Sequence, residues 1–114
     1  MHEMSIAQSV LDIVQEEMKR HGVNKVEAIN IAVGALSAVV PSALSFCWEV
    51  LADGTDFQDT KLKIRVVPLT YQCHDCGKIF TCEDMCFSCP ECQADNPSLT
   101  AGRDMTVESI EVAN

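Results

Sequence analysis

Apolar positions in the first twenty residues recur at helical spacing. Ile6, Val10, Ile13, Val14 and Met18 share one face of a helix over residues 5–20, with Gln15, Glu16, Lys19 and Arg20 turned outward. Ser5 and Gln8 have the spacing of a capping box, and Gly22 is a natural stop. From residue 25 to residue 33 the period drops to two. Ile29, Ile31 and Val33 fall on one face of a predicted strand, and the small side chains of Ala28, Asn30 and Ala32 on the other. Residues 34–40 are a connection. Pro41 suits the first position of a second helix, with Leu44, Cys47, Trp48 and Leu51 as its apolar stripe and Asp53-Gly54 as its end. Leu62, Ile64 and Val66 alternate with Lys61, Lys63 and Arg65, which predicts a half-buried strand that Pro68 closes at an edge. Residues 105–112 predict a third strand. Its apolar phase slips between Val107 and Ile110, which points to a bulge or to burial on both faces.

The chain changes character over residues 71–100. Six of the seven cysteines lie there, with few aliphatic residues, so the segment is expected to lack an ordinary core and to be held by metal. The fold class is α/β (α+β): two helices packed on a short three-stranded mixed sheet, with an inserted zinc-ribbon-like four-cysteine lobe. The expected boundaries are 1–70 plus 101–114 for the α/β domain and 71–100 for the inserted metal-binding domain.

Bulk properties narrow the function. The 114 residues are 47% hydrophobic and 22% charged, a globular balance, and the formal net charge is −9. Such a surface repels phosphate backbones, which argues against nucleic acid and anionic membranes and favours cations or basic protein partners. The start has no basic leader, and no stretch approaches the roughly 18 apolar residues of a membrane span. An odd cysteine count disfavours a disulfide scaffold, so a reducing, cytoplasmic setting is expected.

Cys73-His74-Asp75-Cys76-Gly77 and Cys89-Pro90-Glu91-Cys92 are two metal knuckles with the spacing C-x2-C-x12-C-x2-C. Two residues between thiolates let a tight turn set the sulfurs about 3.5–4 Å apart, as a tetrahedral ion with Zn–S near 2.3 Å requires. Gly77 can take the positive φ such a turn needs. Zinc is the expected metal at Cys73, Cys76, Cys89 and Cys92. Four sulfurs close the coordination sphere and leave no place for substrate, so the site is structural and no enzyme is expected. Cys82 and Cys86 read as spare thiols, with ligand exchange or a redox-sensitive pair as the rival reading. His74 is expected to face solvent or to donate to a ligand sulfur, and Cys47 to pack in the core. Paired knuckles also occur in nucleic-acid-binding zinc ribbons and in rubredoxin-like electron carriers. Charge speaks against the first, and colour would identify the second.

The opening Met1-His2-Glu3 reads most simply as a frayed end with one exposed histidine. Its chemistry is nevertheless specific. An α-amine, backbone amides and an adjacent imidazole can surround an ion in a plane, the geometry that nickel(II) and copper(II) favour.

Several stretches together resemble the HypA/HybF family, the nickel metallochaperones of [NiFe]-hydrogenase maturation. The start Met1-His2-Glu3-Met4-Ser5-Ile6 is similar to the family's MHE-hydrophobic-S opening. Ile31-Ala32-Val33-Gly34-Ala35-Leu36-Ser37-Ala38-Val39 is similar to its IGxLSxV stretch. Ala43-Leu44-Ser45-Phe46-Cys47-Trp48-Glu49 fits its second helix, the knuckles match its zinc site, and Ser109-Ile110-Glu111-Val112 matches its closing strand. The resemblance implies nickel held by His2, the Met1 amine and the backbone nitrogens of His2 and Glu3, with structural zinc at the four cysteines. It implies delivery of nickel to the large subunit of [NiFe]-hydrogenase, with a maturation GTPase accessory protein as partner. Some members carry a carboxylate where this chain has Val39-Val40-Pro41, so the resemblance leaves open whether nickel has a further ligand beyond the amino end. The sequence leaves the oligomer open between a monomer and a homodimer, strand-exchanged or not.

Overall fold

The computed structural model of the chain describes residues 3–82 and 86–112. Its elements in order are α1 (Glu3–His21), β1 (Val26–Gly34), a 3-10 turn (Ala35–Ser37), α2 (Pro41–Ala52), β2 (Lys61–Val67), β3 (Leu69–Gln72), β4 (Ile79–Cys82), β5 (Ser98–Ala101) and β6 (Met105–Val112). The chain divides into two compact units. One takes residues 39–65 with the chain before 33 and after 105; the other takes 33–38 and 66–105.

In the first unit, α1 buries Ile6, Ala7, Val10 and Val14. Full burial of a valine or leucine contributes about 1.5–3 kcal/mol each, so Val10, Val14 and Leu44 anchor this core. Ile13, expected on that face, is 44% exposed, and Ala7 takes its place inside. The helix begins at Glu3, two residues ahead of the expected cap. Ser5 therefore lies within the first turns, where its carbonyl accepts from the Ser9 hydroxyl, and Gln8 donates to Asp12 instead of closing a capping box. An acidic Glu3 in the first turn and Lys19, Arg20 and His21 in the last complement the helix dipole. Gly22, at φ 65°, ends the helix, and the Val23 N–H returns to the Met18 carbonyl at 2.9 Å.

Pro41 opens α2, as expected, and Leu44, Trp48 and Ala52 are its buried positions. Cys47 is only half-buried, a correction to its expected place in the core, and Phe46 is 65% exposed. Trp48 meets Phe57 edge-on at 6.1 Å and donates its indole N–H to the Thr60 carbonyl. The buried Thr60 hydroxyl donates in turn to the Val26 carbonyl at 2.7 Å. This chain of contacts ties α2 to the start of β1 with its polar atoms satisfied.

The two helices accompany a three-stranded sheet of order β2-β1-β6. The central strand β1 is buried on both faces, including Ala28 and Ala32 on the face of small side chains. Long side chains from the flanking strands cross above it. Lys63 reaches Glu111 at 3.0 Å, Arg65 forms a two-pronged pair with Glu108, and Asn30 donates to Ser109 and Glu111. Alternation in β2 fails at its end, where Val66 is exposed and Val67 half-buried. In β6 the slip is visible as half-buried Val107 and Ile110 separated by exposed Glu108 and Ser109.

The second unit departs from expectation. Instead of a coreless metal loop, it has its own three-stranded sheet of order β4-β3-β5. Central β3 pairs antiparallel with β4 (Tyr71 opposite Phe80) and with β5 (Tyr71 opposite Leu99), with a register shift at Thr70/Tyr71. Tyr71 stacks on Phe80 at 5.6 Å, and these two close a small core with Leu69, Cys73 and Cys89. This unit holds β3, which starts at Leu69, and β5, which ends at Ala101. It also includes the 3-10 turn, whose Leu36 N–H bonds the Gly102 carbonyl at 2.8 Å while Gly34 N–H bonds the Asp104 carbonyl.

Candidate metal centre

The two knuckles are built alike. In the first, Cys73 N–H bonds the Lys78 carbonyl and Gly77 N–H returns to the Cys73 carbonyl. In the second, Cys89 N–H bonds the Ala94 carbonyl and Gln93 N–H returns to the Cys89 carbonyl at 2.8 Å. The residue after each second cysteine has positive φ: Gly77 at 75° and Gln93 at 64°. The glycine was legible in the sequence. Gln93 was not, because glutamine gives no signal for this conformation.

This backbone aims N–H groups at the first sulfur of each knuckle. Asp75 and Cys76 donate to Cys73 Sγ at 3.4 and 3.5 Å, and Glu91 donates to Cys89 Sγ at 3.4 Å. Cys73 and Cys89 are buried, while Cys76 and Cys92 are exposed. The four sulfurs lie within 4.8 Å of one another, with Cys73–Cys92 at 3.4 Å and Cys76–Cys89 at 3.7 Å. A tetrahedral zinc with four thiolates needs this spacing, and the donor set is the soft one zinc takes in closed structural sites. The cluster therefore fits zinc.

Metal-free, the four thiols do not ionise alike. The Cys76 N–H, then the Asp75 N–H and the Cys92 thiol, pull Cys73 down to about 6 against the cost of burial. The N–H groups of Cys92 and Glu91 hold Cys89 below the ordinary thiol value. Cys92 goes the other way, to about 12: the Ala94 N–H draws it down, but Cys73, burial, Cys76 and Cys89 together outweigh that. The inner sulfurs are thus prepared as anions, and the outer pair retains protons until a cation replaces them.

His74 is exposed, as expected, and is not a member of the four-sulfur cluster. Its Nε2 lies 3.1 Å from the Ser98 hydroxyl, which links the first knuckle to β5. Lys78 and Glu91 form a loose, exposed pair between the knuckles at 3.9 Å. Cys82 and Cys86 are joined as a disulfide, which corrects the reading of two spare thiols. The expected nickel ligands Met1 and His2 lie outside the described residues. Glu3 is described, as the first residue of α1.

No helix among the described residues is long and apolar enough to cross a membrane. A family model for hydrogenase/urease nickel incorporation, metallochaperone, hypA, matches residues 1–112. The chain is 34% identical over 117 residues to hydrogenase maturation factor HypA of Lawsonia intracellularis, covering 98% of this chain and 99% of that protein. It is 37% identical over 112 residues to the factor of the same name from Rhizobium leguminosarum bv. viciae, again covering 98% and 99%. The solution structure of the Ni metallochaperone HypA from Helicobacter pylori superposes with a TM-score of 0.69 at 25% identity, covering 98% of this chain and 97% of that one. The knuckles, the helix–strand order and the matched length converge on one conclusion: the chain belongs to the HypA family of hydrogenase and urease nickel-incorporation metallochaperones.

Proposed function

We propose that this chain binds Ni(II) at its amino end and delivers it during maturation of [NiFe]-hydrogenase. The observation that carries the reading is the match to the nickel-incorporation family model from residue 1 to residue 112, which includes the Met1-His2-Glu3 opening. The ligands are the Met1 amine, the His2 imidazole and the backbone nitrogens of His2 and Glu3, with the side chain of Glu3 outside the set. Two physical arguments support this. The four-cysteine cluster is closed by its own sulfurs, so it suits a resident ion better than cargo. Glu3 heads α1, and the first amides of a helix have no acceptor within it, so a metal can take this nitrogen without breaking a helical bond.

Zinc at Cys73, Cys76, Cys89 and Cys92 keeps the second unit folded, while nickel belongs to the first. A site built from an amine, one imidazole and backbone nitrogens can be re-ligated stepwise by an acceptor, as delivery requires. The acceptor is the large hydrogenase subunit, with a maturation GTPase accessory protein as partner, in the cytoplasm. The chain performs no catalysis of its own. The net charge of −9 supports a role among cations and proteins and opposes nucleic-acid binding.

Calorimetry on untagged protein tests the reading. His2→Ala and an amino end blocked by acetylation should each abolish specific nickel uptake and leave zinc content and far-UV circular dichroism unchanged. Undiminished nickel affinity in both, or nickel found among the thiolates by X-ray absorption, would overturn it.

A further inference from the structure

Cys82 ends β4, and Cys86 stands three residues before Cys89, the first ligand of the second knuckle. Their sulfurs are bonded, while two sulfur pairs of the neighbouring cluster, at 3.4 and 3.7 Å, are not. The unit has thus sorted its six cysteines into four free cluster thiols and one couple. In surroundings reducing enough to keep metal-binding thiols free, a disulfide persists as a reversible couple and not as a scaffold bridge.

The couple is half-buried and packs on the same core as Cys73 and Cys89. The Cys86 N–H donates to the Tyr71 hydroxyl at 3.3 Å. Tyr71 stacks on Phe80, two residues before Cys82, and lies two residues before Cys73 on β3. Just beyond Cys86, Asn96 N–H bonds the Phe87 carbonyl and Ser88 pairs with Asp95, framing the second knuckle. The couple therefore sits in the connector between the two knuckles and is anchored to the strand that leads into the first.

We infer that Cys82–Cys86 is a thiol–disulfide exchange site for low-molecular-weight thiols of the glutathione class, and that its redox state sets how fast the four-cysteine centre releases its ion. In reduction, one small thiolate attacks a sulfur of the couple. The S–S bond breaks, a mixed disulfide forms, and the other cysteine leaves as a thiolate. A second small thiolate displaces the protein sulfur, giving the oxidised small-molecule disulfide and two protein thiols that take up two protons. While bonded, the couple shortens the free length of the connector between Cys76 and Cys89. Once reduced, the connector regains that freedom and the knuckles separate more readily.

The inference rests on zinc occupying the cluster, and the test separates the two claims. Zinc-loaded protein is equilibrated in glutathione buffers from reducing to oxidising. Alkylation and intact mass then report the couple, and a chromophoric chelator reports zinc release. The couple should interconvert with the cluster cysteines unmodified. Zinc should leave the reduced protein, and the Cys82→Ser/Cys86→Ser and Cys82→Ala/Cys86→Ala double variants, about tenfold faster than the oxidised protein. Equal release from oxidised and reduced wild type, with stoichiometric zinc, overturns the inference alone. Glutathione adducts on the cluster cysteines instead of the couple also overturn it. Absence of zinc in every form overturns the zinc assignment with it. If the double variants fail to fold, the two states of the wild-type chain decide the matter.

Discussion

Gly34 passes so close to Gly102 that a Cβ on Gly34 would lie 2.4 Å from the Gly102 carbonyl oxygen. The same approach recurs one step on, where a Cβ on Gly102 would meet the Pro68 carbonyl oxygen at 2.5 Å. Backbone atoms cannot swing aside as a long side chain can. Gly34→Ala should therefore destabilise the second unit by about 1–3 kcal/mol, although Gly34 itself has an ordinary extended φ of −69°. Denaturant unfolding of the zinc-loaded protein checks this, and an unchanged midpoint would refute the crowding argument.

The paired knuckles make a prediction of opposite signs. Gly77 and Gln93 occupy equivalent positions at φ 75° and 64°, and nothing lies within 4 Å of a Cβ built on Gly77. The cost of a side chain there is conformational, not steric. Gly77→Ala should lose about 1 kcal/mol, and Gln93→Gly should recover a similar amount. Thermal melts of the two variants beside wild type measure both. Shifts in the same direction would show that the knuckles are not equivalent.

Unequal thiols predict the proton count of metal binding. Cys73 is lowered to about 6 and so is already ionised at pH 7.5, whereas Cys92, raised to about 12, is protonated. Zinc binding at that pH should release fewer than four protons, and the number should rise as the pH falls toward 6. The sign for the metal-free fold follows from the same shift. A depressed Cys73 contributes stability present above its unfolded value near 9 and lost as pH falls toward 6. Calorimetry in buffers of different ionisation enthalpy counts the protons, and four at every pH would contradict the assignment.

Across the first unit's sheet, Arg65 Nε and its second nitrogen hold the two oxygens of Glu108 at 2.8 and 2.7 Å. The Arg65 hydrogen bond, with its charge in support, holds the Glu108 carboxyl below the usual range. The contribution is therefore present above the ordinary glutamate value of 4.5 and lost as pH falls below it. Arg65→Ala should lower the melting temperature slightly at pH 7, with the difference shrinking as the pH falls below the ordinary glutamate value and in molar salt. A difference that persists in acid would mean that Arg65 acts through packing.

Local rules determined much of this protein. Periodicity located α1, α2, β1, β2 and β6 to within a few residues, because apolar faces must be buried whatever the topology. Cysteine spacing identified all four members of the sulfur cluster, because a two-residue gap is a property of the turn itself. Other features needed the tertiary structure. The strands β3, β4 and β5 are four residues each, too short for a period to show, and β5 joins β3 only across both knuckles, where Tyr71 comes opposite Leu99. Ile13 is exposed and Cys47 only half-buried, whereas Ala7 and Ala52 are buried, because the packing of each helix decides which part of its apolar stripe is covered. The crowding of Gly34 against Gly102 depends on where distant backbone segments meet, while the Cys82–Cys86 bond and the positive φ at Gln93 are local features that residue type does not signal. Burial and turn geometry are written along the chain; register and contact are settled only when its parts come together.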